Sequence, residues 1–233
     1  MIQTRIDRFN FRGAYAPPVV GSRQGAWCSL IVKTDGSPSV ASASGGSMDL
    51  SLAVNSEAES AQLYMGDILP YDIDDLVRVE FIAKITGVGA NTIAALGLIS
   101  ATNATLDSIA QNAMFRLEGN NNLLLETDDG STDLDDKATG ETLGSTYKRL
   151  VIDFSVGTKT QSPPSPSLGG KADVRFFAGD ANGRLRAIGR NVNFDMSAYS
   201  GNLQPFARVQ KASGADAPVL SLLEVSVEYR LPT

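Results

Sequence analysis

Gly66-Asp-Ile-Leu-Pro-Tyr-Asp-Ile-Asp-Asp-Leu-Val-Arg-Val-Glu-Phe-Ile-Ala-Lys84 decides the fold class of this chain. An acidic turn and a proline lead into strict alternation. Val77, Val79, Phe81, Ala83 and Ile85 fall on one face, and Arg78, Glu80, Ile82 and Lys84 on the other. A side-chain period of two is that of a half-buried antiparallel strand. The same pattern returns at the C-terminus, where Val225, Val227 and Tyr229 alternate with Ser226, Glu228 and Arg230.

Working outward, short strands are expected at 29–33, 47–54, 92–100, 113–118, 123–127, 147–155, 172–178, 184–188, 193–199, 203–211 and 219–230. Turn residues separate them. Gly119-Asn-Asn-Asn122 and Gly179-Asp-Ala-Asn-Gly183 read as hairpin loops, because Gly and Asn tolerate the left-handed backbone that tight turns need. Residues 55–62 are polar with a turn of helix, 105–112 read as a short helix, and 127–145 as an acidic loop. Residues 158–170, containing Gln161-Ser-Pro-Pro-Ser-Pro-Ser167, form a low-complexity surface excursion. Many short strands with regular turn signals and no long amphipathic helix indicate an all-β antiparallel sandwich or jelly roll.

Residues 1–46 read differently. Glycine and proline punctuate them, yet they carry Phe9, Phe11, Tyr15 and Trp27, too aromatic for a disordered tail. The expected organisation is an extended N-terminal arm over 1–46 and a sandwich domain over 47–233. Mixed cationic and aromatic residues are enriched at interfaces. Arg5, Arg8, Phe9, Phe11, Arg12, Tyr15 and Trp27 are therefore the expected contact residues, either between molecules or on the arm's own domain. Residues 1–33 set five cations against Asp7 alone, a net +4, which leaves −10 for the remainder of a chain whose total is −6. An acidic body argues against nucleic acid as a partner and favours an acidic neighbour for the arm.

Composition limits the chemistry. The chain has no histidine and one cysteine, Cys28. Serine–histidine and cysteine–histidine catalysis are thereby excluded, as are disulfides within the chain and structural zinc sites. No run of 18 apolar residues exists, so no membrane-spanning helix is expected, and the N-terminus lacks the apolar stretch of a signal peptide.

Clustered carboxylates are the remaining metal signal. Glu126, Asp128, Asp129, Asp133, Asp135 and Asp136 lie close in sequence, and Asp128, Asp129, Asp133 and Asp135 are the candidates for a calcium loop. Their spacing does not fit the EF-hand, and the alternative is a solvated acidic loop. The expectation is no metal and no cofactor. Asp67, Asp72, Asp74 and Asp75 are better explained as turn residues capping backbone amides. Tyr71, Tyr199 and Phe206 are either a sugar-stacking platform or packing residues.

Three blocks carry a resemblance: Tyr64-Met-Gly-Asp-Ile-Leu-Pro-Tyr-Asp-Ile-Asp-Asp-Leu76; Asn112-Ala-Met-Phe-Arg-Leu-Glu-Gly119 with Tyr147-Lys-Arg-Leu-Val-Ile-Asp-Phe154; and Val174-Arg-Phe-Phe-Ala178 with Phe194-Asp-Met-Ser-Ala-Tyr199 and Val225-Ser-Val-Glu-Tyr229. With them the chain resembles concanavalin-A-like (laminin-G-like) β-sandwiches, and more narrowly the tailed-bacteriophage virion proteins built on that fold. The resemblance implies a non-enzymatic virion component. The first expectation is a capsid decoration (cement) protein, a dimer or trimer that bridges major capsid protein subunits on the head surface after assembly in the host cytoplasm. The alternative it implies is a lectin-like carbohydrate-binding module of a phage tail or fibre. No paired-glutamate strand motif of the sandwich glycosidases is present.

Overall fold

The computed structural model describes residues 3–12, 17–155 and 170–231. Seventeen strands form two antiparallel sheets. They are β1 (Thr4–Asn10), β2 (Arg23–Gln24), β3 (Trp27–Lys33), β4 (Ser39–Ser42), β5 (Met48–Ser51), β6 (Glu59–Tyr64), β7 (Tyr71–Asp72), β8 (Leu76–Thr86) and β9 (Thr92–Ile99). After a 3-10 turn at Leu106–Ser108 come β10 (Asn112–Glu118), β11 (Asn122–Asp128), β12 (Asp133–Thr142) and β13 (Lys148–Asp153), and after a second at Gly170–Ala172 come β14 (Arg175–Asp180), β15 (Arg186–Ile188), β16 (Asn202–Lys211) and β17 (Val219–Arg230).

The first sheet runs β15-β14-β13-β8-β17-β5-β4. The second runs β12-β11-β10-β9-β16-β6-β3-β2, with β7 on β16. Strand β8, with its strict alternation, lies in the middle of the first sheet between β13 and β17. Its Val79, Phe81, Ala83 and Ile85 are buried in the core, as their alternation predicts. One continuous apolar core fills the space between the sheets. This is the expected all-β sandwich.

The boundary at residue 46 does not separate an arm from a body. Strand β1 pairs with β17 over its whole length, from Thr4 opposite Arg230 to Asn10 opposite Glu224. Strand β3 pairs with β6, and β4 with β5. The N-terminal segment thus supplies strands to both sheets. The reason lies in its aromatics: Phe11 and Trp27 are fully buried, and Phe9 packs against the core. Large rings remove enough apolar surface from water to outweigh the glycine and proline punctuation.

Other expectations also change. Residues 59–64 form β6 rather than a turn of helix. They look polar because Ser60 and Gln62 point away from the core while Ala61 and Leu63 point in. Residues 133–142 of the expected acidic loop form β12, which among the described residues pairs only with β11, at the rim of its sheet. Charge on such a rim discourages edge-to-edge association. The expected helix at 105–112 reduces to the three-residue turn Leu106–Ser108. At 193–199 the pairing is a single bridge between Val174 and Phe194. Most of the excursion at 158–170 lies outside the described residues, as does Tyr15.

Candidate functional site

The side chains on the outer face of the second sheet are unusual. Along β6, β16, β9, β10 and β11, the residues facing the other sheet are apolar: Leu63, Val209, Leu96, Phe115 and Leu125, for example. Their alternates face outward. Register places them in rows across the sheet. One row reads Leu30, Gln62, Arg208, Ala95, Arg116, Leu124. The next reads Val32, Ser60, Gln210, Ile93, Glu118.

An outward face would ordinarily be wet. Here Gln62, Arg208, Arg116, Asn112 and Glu126 are all buried. Residues 100–111, between β9 and β10, fold back over the sheet and cover them. Leu106 and Ile109 from this loop pack on Ala95, Ile99, Met114 and Phe206, making a second, smaller core on the outer side. Loop and sheet are fastened by arginines. The Arg208 guanidinium donates to Asn103 O at 2.7 Å and also to Ala104 O. Arg116 pairs with Asp107 on the loop, with Glu118, and with Glu126 at 2.9 Å. Gln204 reaches Ser100 O at 3.3 Å and Asp67 Oδ1 at 2.6 Å, and Asp67 in turn accepts from Thr102 N at 3.0 Å.

The electrostatics follow from burial. Arg208 is bonded to carbonyls rather than carboxylates, and burial alone pulls its pKa down to about 10. Burial pushes the Glu126 carboxyl up to about 7, against the opposing hydrogen bond and charge of Arg116. Arg116 itself is held protonated: the bonds to Glu126 and Asp107 outweigh its desolvation. Several polar atoms on this face make no hydrogen bond among the described residues: Gln62 Nε2, Gln210 Oε1, Asn112 Oδ1, and the Nε atoms of Arg208 and Arg116, the last of these 3.7 Å from Asp136 Oδ1. Burying such a group unpaired is costly. The second row is its open side: Gln210, Ile93 and Glu118 are only half-buried.

The residues singled out from sequence lie elsewhere. Asp128 and Asp129 sit in the turn from β11 to β12, where their carboxylates accept from backbone amides. Asp128 takes Gly130 N at 2.7 Å, and Asp129 takes Ser131 N, Thr132 N and Ala198 N at 2.8, 2.7 and 3.1 Å. Burial followed by the charges of Asp135 and Asp128 raises the Asp133 pKa, whereas backbone amides, those of Thr132 and Ser131 foremost, hold that of Asp129 down against its desolvation. Among the described residues no three acidic or thiol side chains converge to hold a metal ion. Asp72 accepts from Asp74 N at 2.9 Å, the turn role expected of that group, and Asp74 also pairs with Lys171.

Of the expected contact residues, Arg5, Arg8 and Arg12 are exposed, but Phe11 and Trp27 are core and cannot meet a partner. Nor do the aromatics form a platform. Tyr71 is buried with its hydroxyl on Asp7, Phe206 is in the second core, and Tyr199 bonds Asn202 O. The sequence reading passed over Gln62, Arg116, Arg208 and Gln210. Their signal was present, as Phe115-Arg-Leu-Glu118 and Ala207-Arg-Val-Gln210 each alternate apolar with polar. What alternation does not show is that a loop covers the polar side.

Comparison with known proteins places this geometry. No family model matches the chain, and no curated protein does. Solved structures do. A protein of unknown function from Shewanella oneidensis MR-1 is similar over 98% of this chain and 87% of its own, with a TM-score of 0.55 and 12% identity. The carbohydrate recognition domain of Emp47p matches over 93% of this chain and 95% of its own, at TM-score 0.52 and 13% identity. The exoplasmic/lumenal domain of VIP36, in a calcium- and mannose-bound form, matches over 93% and 88%, at TM-score 0.55 and 7% identity. At such identities the likeness is one of fold. The chain has the lectin-like, concanavalin-A-like β-sandwich that its sequence resembles.

Proposed function

We propose that this chain is a non-enzymatic carbohydrate-recognition module. It takes saccharide on the outer face of the second sheet, along the half-open row of Ser60, Gln210, Ile93 and Glu118 beside the 100–111 loop. The observation that carries the reading is the half-open row itself, where Gln210, Ile93 and Glu118 lie side by side on adjacent strands and Gln210 Oε1 makes no hydrogen bond among the described residues. Sugars present hydroxyls as joint donors and acceptors around an apolar carbon face. Amides, which both donate and accept, and the apolar Ile93 between Gln210 and Glu118 complement them. The similarity to domains described as carbohydrate-recognising, Emp47p among them, supports the same reading. So does the absence of histidine, the commonest general acid–base, from the sequence.

A second reading, the phage capsid decoration protein, rests on the sequence blocks and on the exposure of Arg5, Arg8 and Arg12. Its test is co-sedimentation with empty capsids at a fixed ratio. The test of the first reading is a glycan array probed with and without a chelator. Retention on at least one saccharide class is expected, and no retention in either condition overturns it.

A further inference from the structure

A second surface stands apart from the saccharide face, and the inference drawn from it is independent of that reading. Strand β1 is an edge. It pairs with β17 on one side, and among the described residues no strand pairs with the other. Gln3 O accepts from Leu231 N, and Phe11 N donates to Leu223 O. In an antiparallel ladder the backbone groups of alternate residues turn to opposite sides. The odd residues of β1 therefore address β17, and the N–H and C=O of Ile6 and Arg8 face away from it.

That free edge borders a trough of about 410 Å³, whose far wall includes Arg23 of β2, the last strand of the other sheet. Its apolar lining includes Phe9, Met65 and Ile68. Ile6 and Ile68 are 49% and 53% exposed, large for aliphatic residues so close together. Guanidinium groups stand around the rim. Arg5 and Arg8 are each 62% exposed despite their contacts with Asp7 and Glu224, and Arg23 is exposed with one bond to Gly25 O. Asp7, the acid in the lining, is already engaged by Arg5 and by the hydroxyls of Tyr71 and Tyr229. A free backbone edge, exposed aliphatics and arginines with donors to spare thus occupy one place.

We propose that this edge binds an extended acidic segment of a partner protein, which adds to β1 as a further strand. Main-chain bonds to Ile6 and Arg8 would supply affinity. Alternate acidic side chains would meet Arg5 and Arg23 on the trough side, and the apolar ones between them would meet Ile6 on the other. The charge complementarity is that of the whole N-terminal segment, net +4 over residues 1–33 in a chain of net charge −6.

The probe is an acetylated ten-residue peptide alternating glutamate and valine, with lysine replacing glutamate as the control. Trp27 is the one tryptophan and packs edge-on against Phe9 of the trough lining, so its fluorescence reports occupancy. Hydrogen exchange at the Ile6 and Arg8 amides reports strand addition. The glutamate peptide binds and protects both amides, the lysine peptide does not bind, and R5E/R23E weakens binding at least tenfold. Ile6→Pro removes an outward N–H without touching the β17 ladder, a position where an edge tolerates proline. It abolishes binding while the far-UV spectrum is retained. Equal binding of both peptides, no binding of either, or unchanged binding by the folded I6P protein overturns the proposal. So does a doubled solution mass without peptide that I6P reverses, since the occupant is then a second copy of this chain.

Discussion

Phe9 and Trp27 meet edge to face, with ring centroids 5.2 Å apart, and so join strand β1 of one sheet to strand β3 of the other. Phe11 leans on the same indole at 5.9 Å. An N-terminal segment that reads as an arm is therefore a clamp across the edge of the sandwich. Trp27→Ala is expected to cost about 3–5 kcal/mol, as large-to-small core changes do. Urea unfolding measures it. Removal of residues 1–33 deletes β1, β2 and β3 and is expected to leave an unfolded chain by circular dichroism. A folded truncation would contradict the packing described.

Glu126 makes stability depend on pH. Its folded pKa is raised to about 7, mainly by burial, above its ordinary value of 4.5. The folded state then holds more protons than the unfolded state between those values, so this group's contribution falls as pH rises through the window. Glu126→Gln removes the titration. The variant's stability relative to the parent is expected to rise steadily between pH 4.5 and 7 and to level off above. Thermal melts across that range check the sign. A difference independent of pH would place the titration elsewhere.

Arg208 ties the 100–111 loop to the sheet through two carbonyls. Arg208→Ala is expected to cost about 1–3 kcal/mol, the range for losing buried hydrogen bonds. It is also expected to speed hydrogen exchange at Ser108 and Ile109, whose amides bond Thr105 O and Leu106 O within the loop. Exchange in β9 and β16 stays slow until global unfolding. Equal acceleration in the loop and in both strands would mean that the arginine supports the fold as a whole.

Gly97 sits in the floor under that loop, opposite Met114 on β10 and Phe206 on β16. A Cβ there would lie 2.3 Å from Ala113 O and 2.6 Å from the Met114 Cα, both rigid backbone. Gly97→Ala is expected to destabilise by about 1–3 kcal/mol through overpacking. Chemical denaturation tests it, and a neutral result would show that β9 and β10 can separate without cost.

The sandwich was legible because its strands bury one face cleanly. Period-two alternation in β8 and β17 marked the core side. Strands were missed where that contrast fails. In β12, at the sheet rim, neither face is buried, so a strand looks like a charged loop. In β6, Glu59 is buried against Lys211, and Ser60 and Gln62 line the outer face, so polarity hides the pattern. The site was less legible still. Asp128 and Asp129 attract attention as a cluster, but backbone amides account for them. Arg116 and Arg208 look like ordinary outward charges, and only the fold-back of residues 100–111 buries them.

The most direct test of the central claim is a glycan array probed in parallel with the native chain and with the Gln210→Ala/Glu118→Ala variant, both verified as folded. The native protein is expected to be retained on a defined saccharide class, and the variant to lose at least tenfold of that signal. Retention that is the same for both proteins, or absent from the native one, would contradict a saccharide site on the outer face of the second sheet.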